Sequence, residues 1–184
     1  MHLARTGGLA AVTLDQVQDR AGVGRGQLYH YFDDRDDLIR AVVDHIIDSH
    51  VGEHPSPALT SLAAIDSWLA PIVDMVATTG GVGGCPIGSL VPQLAEEDET
   101  ARVELAAAFA RWEAPLVAGL TQLRERGQLT GEATCEQLAE SVMAALQGAL
   151  VLAQARRDPG QVRTAVIGIR SVLRAAGVPD LPAS

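Results

Sequence analysis

Val162, Val166, Ile169, Leu173 and Ala176 stand four, three, four and three residues apart. That alternation is the period of an α-helix with one apolar face, and a strand has no use for it. The period recurs upstream, where Leu138, Val142, Ala145, Leu146, Ala149, Leu150 and Ala153 leave a helix over 136–157 little polar surface. Elsewhere Val, Ile and the aromatics never alternate with polar residues over a strand's length, and turn dipeptides do not recur at hairpin spacing. The chain reads as all-α.

Punctuation divides it. Thr13 is an N-cap for a short helix over 14–20, which Gly22 stops. A second short helix covers 25–32. Asp33 or Asp34 caps a third, and its apolar positions Leu38, Val42, Ile46 and Ile39, Val43, Ile47 carry it to about residue 49. The run EHPSP at 53–57 breaks the pattern and separates a head, 1–49, from a larger domain, 56–178. A helix over 58–79 follows, with a bend expected at Pro71. TTGGVGGCPIGS at 78–89 is a loop, and it cannot cradle phosphate because no strand precedes it and no Gly-Lys-Ser/Thr follows. A short helix over 87–95 leads to a long one over 99–126. That helix contains Pro115 and closes at Gly127, with Arg124 and Arg126 at its negative end. The last two helices cover 136–157 and 161–176.

A chain of 184 residues need not spend two such apolar helices on its own core. Gly148 would also let a neighbouring helix come close. These features point to a two-fold dimer interface on Leu138, Val142, Leu146, Ala149, Leu150, Ala153, Val162, Val166, Ile169 and Leu173. The alternative is a plain interior helix pair.

The formal net charge is −9 and all fourteen lysine-plus-arginine positions are arginine. No apolar run reaches the roughly 20 residues of a membrane span, and the opening MHLARTGGLAAV lacks a signal peptide's basic and long apolar regions. No membrane partner is expected. Cys85 and Cys135 have no metal-like spacing, so a reduced, cytosolic protein is expected. Residues 1–50 hold five arginines against eight aspartates. Such a balance argues against nucleic acid unless the few cations sit where phosphates come.

The stretch GVGRGQLYHYFDDRDDL at 22–38 makes that case. Two short helices joined by a glycine-containing corner (Ala21, Gly22, Val23) form a helix-turn-helix pattern, with Val17, Val23 and Leu28 facing inward. The second helix offers Arg25, Gly26 and Gln27 at its N-terminus, the end that meets base edges in such motifs. Arg can pair two acceptors of guanine and Gln two sites on adenine. Gly26 lets the backbone approach the groove. Tyr29, His30 and Tyr31 suit phosphate oxygens, and Thr13 and Arg35 stand at helix starts that attract phosphate.

The segment VTLDQVQDRAGVGRGQLYHYFDDRDDLIRAV resembles the DNA-binding signature of the TetR (tetracycline repressor) family of bacterial regulators. The family's Ser-Lys-Gly-Thr opening of the recognition helix is here Gly24, Arg25, Gly26, Gln27. Its Tyr-His-x-Phe run is Tyr29, His30, Tyr31, Phe32, and its usual Lys on the next helix is Arg35. GCPIGSLVPQLAEEDETARVELAAAFARWEAPL and the pattern around 138–157 are similar to the C-terminal domain of LmrA/YxaF-like regulators. Family members carry a full first helix and a charged tail ahead of the segment equivalent to 3–11. The expected head here therefore has a truncated first helix.

The resemblance implies a bacterial, cytoplasmic transcriptional regulator, nucleoid-associated when bound to DNA. Its partners would be a double-stranded DNA operator, a second copy of the chain and a small-molecule effector, and repression is the family's habit. It further implies a pocket among the middle helices, with Trp68, Ile72, Met75, Val91, Leu94, Phe109, Trp112, Leu116, Met143 and Gln147 as candidates. Flexible Met, flat Trp and few charges suit an uncharged or weakly polar, aromatic effector.

Other chemistry has less support. His45, His50 and His54 suggest a metal clip, but Pro55 ends the helix and His45 lies on another face, so no metal site is expected. Cys85 has no neighbouring cation in sequence to activate it. No Ser/His/Asp set stands in a nucleophile-elbow context, so neither catalysis nor a cofactor is expected. The competing function is an all-helical dimeric module that binds proteins or small molecules, with a head that does not bind DNA.

Overall fold

The computed structural model describes residues 58–181 continuously and, ahead of them, residues 18, 19, 22, 24, 26, 30–34, 37, 38, 40, 41, 44 and 45. Among the described residues there is no strand. Two compact units emerge, one of Met1–Glu53 with Pro86–Phe109 and one of His54–Cys85 with Ala110–Ser184. Five helices have defined bounds: α1 (Leu62–Thr79), α2 (Val91–Leu94), α3 (Glu99–Glu125), α4 (Cys135–Arg156) and α5 (Gly160–Ala175).

In the unit containing His54–Cys85, α1 starts four residues later than its apolar pattern suggests, because Ser61 is a better cap than anything upstream. Its hydroxyl accepts from the Ala64 N–H at 3.2 Å, and residues 58–60 stay non-helical. The helix runs through Pro71 and ends at Gly80, whose φ of +61° closes the last turn onto the Val76 carbonyl. Leu62, Ile65, Leu69 and Val76 form its buried face. The glycine-rich loop then lies on α4, where a Cβ at Gly81 would collide with the Ala153 carbonyl. That contact, rather than a ligand, accounts for glycine there. Gly119 of α3 likewise has no room for a Cβ, because the Leu59 carbonyl rests on it.

α4 opens with a capping box. Thr134 Oγ1 accepts from the Gln137 N–H at 3.1 Å while Gln137 Oε1 accepts from the Thr134 N–H at 2.9 Å. Two otherwise orphaned N–H groups are thereby satisfied. At its other end Arg157 takes φ +53°, and the Asp158 carboxylate accepts from Gly160 N–H at 2.8 Å to start α5. α5 packs along α4, and α1 packs on α5. Leu146, Val162 and Leu173 are wholly buried between them.

In the other unit, Ile87, Leu90 and Leu94 are buried with Ala101, Leu105 and Ala108 of α3. Asp98 starts α3 by accepting from the Ala101 N–H at 2.8 Å. The regular helix at 91–94 is shorter than its apolar pattern suggests, and residues 87–90 form a turn, with the Leu90 N–H on the Ile87 carbonyl at 3.0 Å.

Candidate nucleic-acid interface

Gln18 and Asp19 are helical, and Gly22 ends that helix at φ +67° with its N–H on the Gln18 carbonyl at 3.0 Å. A Cβ at Gly22 would meet nothing within 4 Å, so the left-handed backbone, not crowding, is what calls for glycine. Gly26, His30 and Tyr31 are helical again, residues 32–34 are not, and helix resumes at Asp37. The described residues are thus helical, turn, helical, non-helical and helical again in chain order.

The second helix shows its polar side to solvent. Gly26 and His30 are exposed, and Tyr31 is 68% exposed. The His30 and Tyr31 rings meet edge to face with centroids 5.3 Å apart. A phenol so exposed contributes little to a core and is available to an outside acceptor or phosphate. Thr13, Arg25, Gln27, Tyr29 and Arg35 lie outside the described residues, as do His50 and His54.

The aspartates that follow have a local job. Asp34 Oδ1 accepts from the Asp37 N–H at 2.8 Å, and Asp37 Oδ2 accepts from the Asp33 N–H at 3.3 Å. Asp34 is thus the cap of the third helix. Asp37 also lies 3.5 Å from Arg40. Carboxylates held at the positive end of a helix, one beside a guanidinium, repel an approaching polyanion less than free ones would.

On α3, Glu104 belongs to the same unit as Arg40 and Asp44. Its Oε2 is buried with no hydrogen-bond partner among the described residues. Burial pushes its carboxyl above the ordinary carboxylate value, Asp44 and Asp98 add repulsion, and Arg40 offsets part of it.

The residues expected at a two-fold interface face elsewhere. Leu138, Val142, Leu146, Ala149, Leu150, Ala153, Val162, Ile169 and Leu173 are buried within the subunit, and Val166 is half-buried. The strongest apolar stripe therefore packs α4 and α5 into their own core. Among polar residues, α4 also shows solvent an apolar strip of Ala144, Ala145, Gly148, Val151 and Leu152, with Val151 63% exposed. α5 shows Ile167, 66% exposed, with Gly168 and Val172. A Cβ at Gly148 or Gly168 would meet nothing within 4 Å. These outward residues repeat at helical spacing in the sequence, but beside a stronger stripe they carry no mark of being the outer one.

Of the pocket candidates, Leu94, Leu116 and Met143 are buried, whereas Trp68, Ile72, Met75, Val91, Phe109, Trp112 and Gln147 are half-buried. Val91, Leu94 and Phe109 fall in one unit and the other seven in the second. Gln147 Nε2 lies 3.8 Å from Met143 Sδ, a weak acceptor for an amide. An open groove of about 400 Å³ runs along Ala110, Ala114, Val117 and Ala118 of α3, with Glu113, Glu136 and Glu140 along it. Burial raises the Glu113 carboxyl above its ordinary value, and Glu140 repels it further. Cys85 and Cys135 are buried thiols, and no cluster of metal-ligating side chains occurs among the described residues.

Comparison with known proteins agrees with this architecture. A model of the bacterial regulatory proteins of the tetR family matches residues 1–42, and one of the LmrA/YxaF-like transcriptional regulator C-terminal domain matches residues 61–166. The chain belongs to the TetR family of bacterial transcriptional regulators, with a C-terminal domain of the LmrA/YxaF-like kind. It is 28% identical over 162 residues to an HTH-type transcriptional regulator of Mycobacterium tuberculosis, covering 85% of this chain and 80% of that protein. It is 27% identical over 159 residues to the HTH-type regulator YxaF of Bacillus subtilis, covering 82% and 78%. In fold it is similar to a TetR-family transcriptional regulator from Agrobacterium tumefaciens, at TM-score 0.74 and 20% identity over 95% of this chain and 92% of that one. The regulatory protein TetR from Rhodobacter sphaeroides gives TM-score 0.72 and 19% identity over 91% of both chains.

Proposed function

We propose that this regulator is a cytoplasmic homodimer that holds a palindromic DNA operator and releases it when a small, largely apolar effector binds. Residues 1–49 read DNA, and 56–178 bind the effector and the second subunit. Arg25, Gly26 and Gln27 approach base edges, while Thr13, Tyr29, His30, Tyr31 and Arg35 hold phosphates. The observation that most supports this reading is the left-handed turn at Gly22 followed by a helix whose Gly26, His30 and Tyr31 all face solvent. A buried second helix would have made it a core element.

The subunits meet through the outer faces of α4 and α5, at Val151, Leu152, Ile167 and Val172. These side chains are apolar and exposed in the single chain, and the two open glycines allow close helix approach. A two-fold pair of recognition helices must stand about 34–36 Å apart to enter successive major grooves. An effector that binds best when that spacing is lost weakens DNA binding, and DNA weakens effector binding by the same factor. The half-buried Trp68, Met75, Trp112 and Gln147 support an effector with a flat apolar body and one polar group.

Selection of operator sequences from a random pool with purified protein tests the reading. A two-fold palindrome should be enriched, and affinity should fall by about a thousandfold or more between 50 and 200 mM salt if each dimer makes at least six phosphate contacts. Gln27→Ala should relax discrimination at one base position by about 1–3 kcal/mol, whereas Tyr29→Ala should weaken all sequences alike. No enrichment, or an affinity indifferent to salt, would overturn it.

A further inference from the structure

A helix begins with N–H groups that have no partner inside it. In α1 the Leu62 and Ala63 N–H groups donate to the main-chain carbonyls of Pro179 and Asp180, at 2.8 and 3.1 Å. The far end of the described chain thus supplies acceptors that a local cap would otherwise provide.

The tail is steered there by its own bonds. Gly177 takes φ +99°, and a Cβ there would collide with the Gln128 carbonyl. Val178 is buried, with its N–H on the Leu173 carbonyl at 3.0 Å. Beyond it, Asp180 Oδ1 accepts from Arg174 Nη2 at 2.6 Å and lies 3.5 Å from Arg170 Nη2. Arg170 Nη1 reaches in the other direction to Asp66 Oδ2 on α1. The second oxygen of Asp66 is buried and has no hydrogen-bond partner among the described residues, so that carboxylate depends on Arg170. The Arg174 hydrogen bond, with Arg170 adding to it, holds the Asp180 carboxyl below its ordinary value.

We propose that residues 177–181 form a latch that caps the first turn of α1, that Asp180 is its pin between Arg174 and Arg170, and that it opens as a unit ahead of the core. The anchoring is divided in kind. Val178 is held by burial, but the pin is 63% exposed and its ion pairs are weakened by salt. Opening removes two acceptors from the start of α1, so its first turn unwinds. The latch is a salt-sensitive control on how firmly the first turn of α1 is wound. It depends neither on the DNA reading nor on the effector reading.

Amide hydrogen exchange of the full chain, followed by NMR without DNA or effector, tests it. Asp180→Asn keeps the backbone acceptor and removes the charge. Exchange at Leu62 and Ala63 should quicken about fivefold, while the Leu146 amide in α4 is unchanged. A chain ending at Val178 loses both acceptors and should show a larger increase, on the order of thirtyfold, at the same two amides. Raising salt should quicken Leu62 and Ala63 exchange in the parent chain and have less effect in Asp180→Asn. If neither variant changes those two amides, the tail caps nothing. If Leu146 quickens in step with them, the tail unfolds with the core and is not a latch.

Discussion

The stretch around Gly22 and the α4–α5 hairpin both join two helices through one left-handed residue, Gly22 at φ +67° and Arg157 at φ +53°. Side-chain caps stand nearby but not at the corners: Asp34 opens the helix after the second one, and Thr134 opens α4 itself. What the two corners share is their handedness. The difference lies in length and in what each second face carries. The helix after Gly22 is short and exposes Gly26, His30 and Tyr31. α4 and α5 are long, bury one apolar face and expose another through Val151 and Ile167. Similar corners therefore present a polar surface in one place and an apolar one in the other. Turn geometry sets the corner, and residue content sets the partner.

The inner and outer faces of α4 give the largest contrast. Leu146→Ala removes a wholly buried side chain and should cost about 2–5 kcal/mol in urea unfolding. Val151→Ala on the exposed face should change the stability of the subunit by no more than about 0.5 kcal/mol. Equal losses would mean that both faces are core.

Ile167→Asp comes next. A charge on that outer face should weaken dimerisation by at least about tenfold in sedimentation velocity, with helical content retained. A dimer indifferent to this change meets its partner elsewhere.

The two corners should then respond with opposite signs. Gly22→Ala forces a Cβ into a left-handed backbone and should destabilise the N-terminal segment by about 1–2 kcal/mol. Arg157→Gly relieves that conformation and should be neutral or stabilising by up to about 1 kcal/mol in thermal unfolding. Losses of similar size at both sites would show that side-chain contacts, not backbone handedness, hold the corner at Arg157.

The most local effect compares the caps. Thr134→Ala and Asp34→Ala should each lower stability by about 0.5–2 kcal/mol, seen as faster amide exchange confined to the first turn of the helix concerned. Exchange that quickens throughout either region would make that cap part of a larger cooperative unit.

Much of this architecture was legible because helices and their ends are local. The stop at Gly22, the all-helical content and the cap at Asp34 or its neighbour follow from residues within one turn of each other. The start of α1 was less so. Its apolar pattern reaches back to Ala58, yet the helix opens at Leu62, because Ser61 caps it and carbonyls from 179 and 180 complete the cap. No residue near 60 announces acceptors that arrive from the other end of the chain. The grouping of Pro86–Phe109 with the first 53 residues has the same character. It divides α3 inside a continuous apolar pattern, with no break in composition to mark it. The groove beside Glu113 also joins residues from two helices that no motif links.

What the sequence alone determined here is the set of parts: helices, corners, caps and the family signature around the second helix. Each depends on backbone preferences and side-chain reach over a few residues. Which of two apolar faces of α4 turns inward was decided only by the tertiary structure, as was the buried state of Leu138, Leu146 and Leu173. Periodicity says that a face is apolar, but burial depends on which other faces compete to cover it, and those belong to segments far away in the chain.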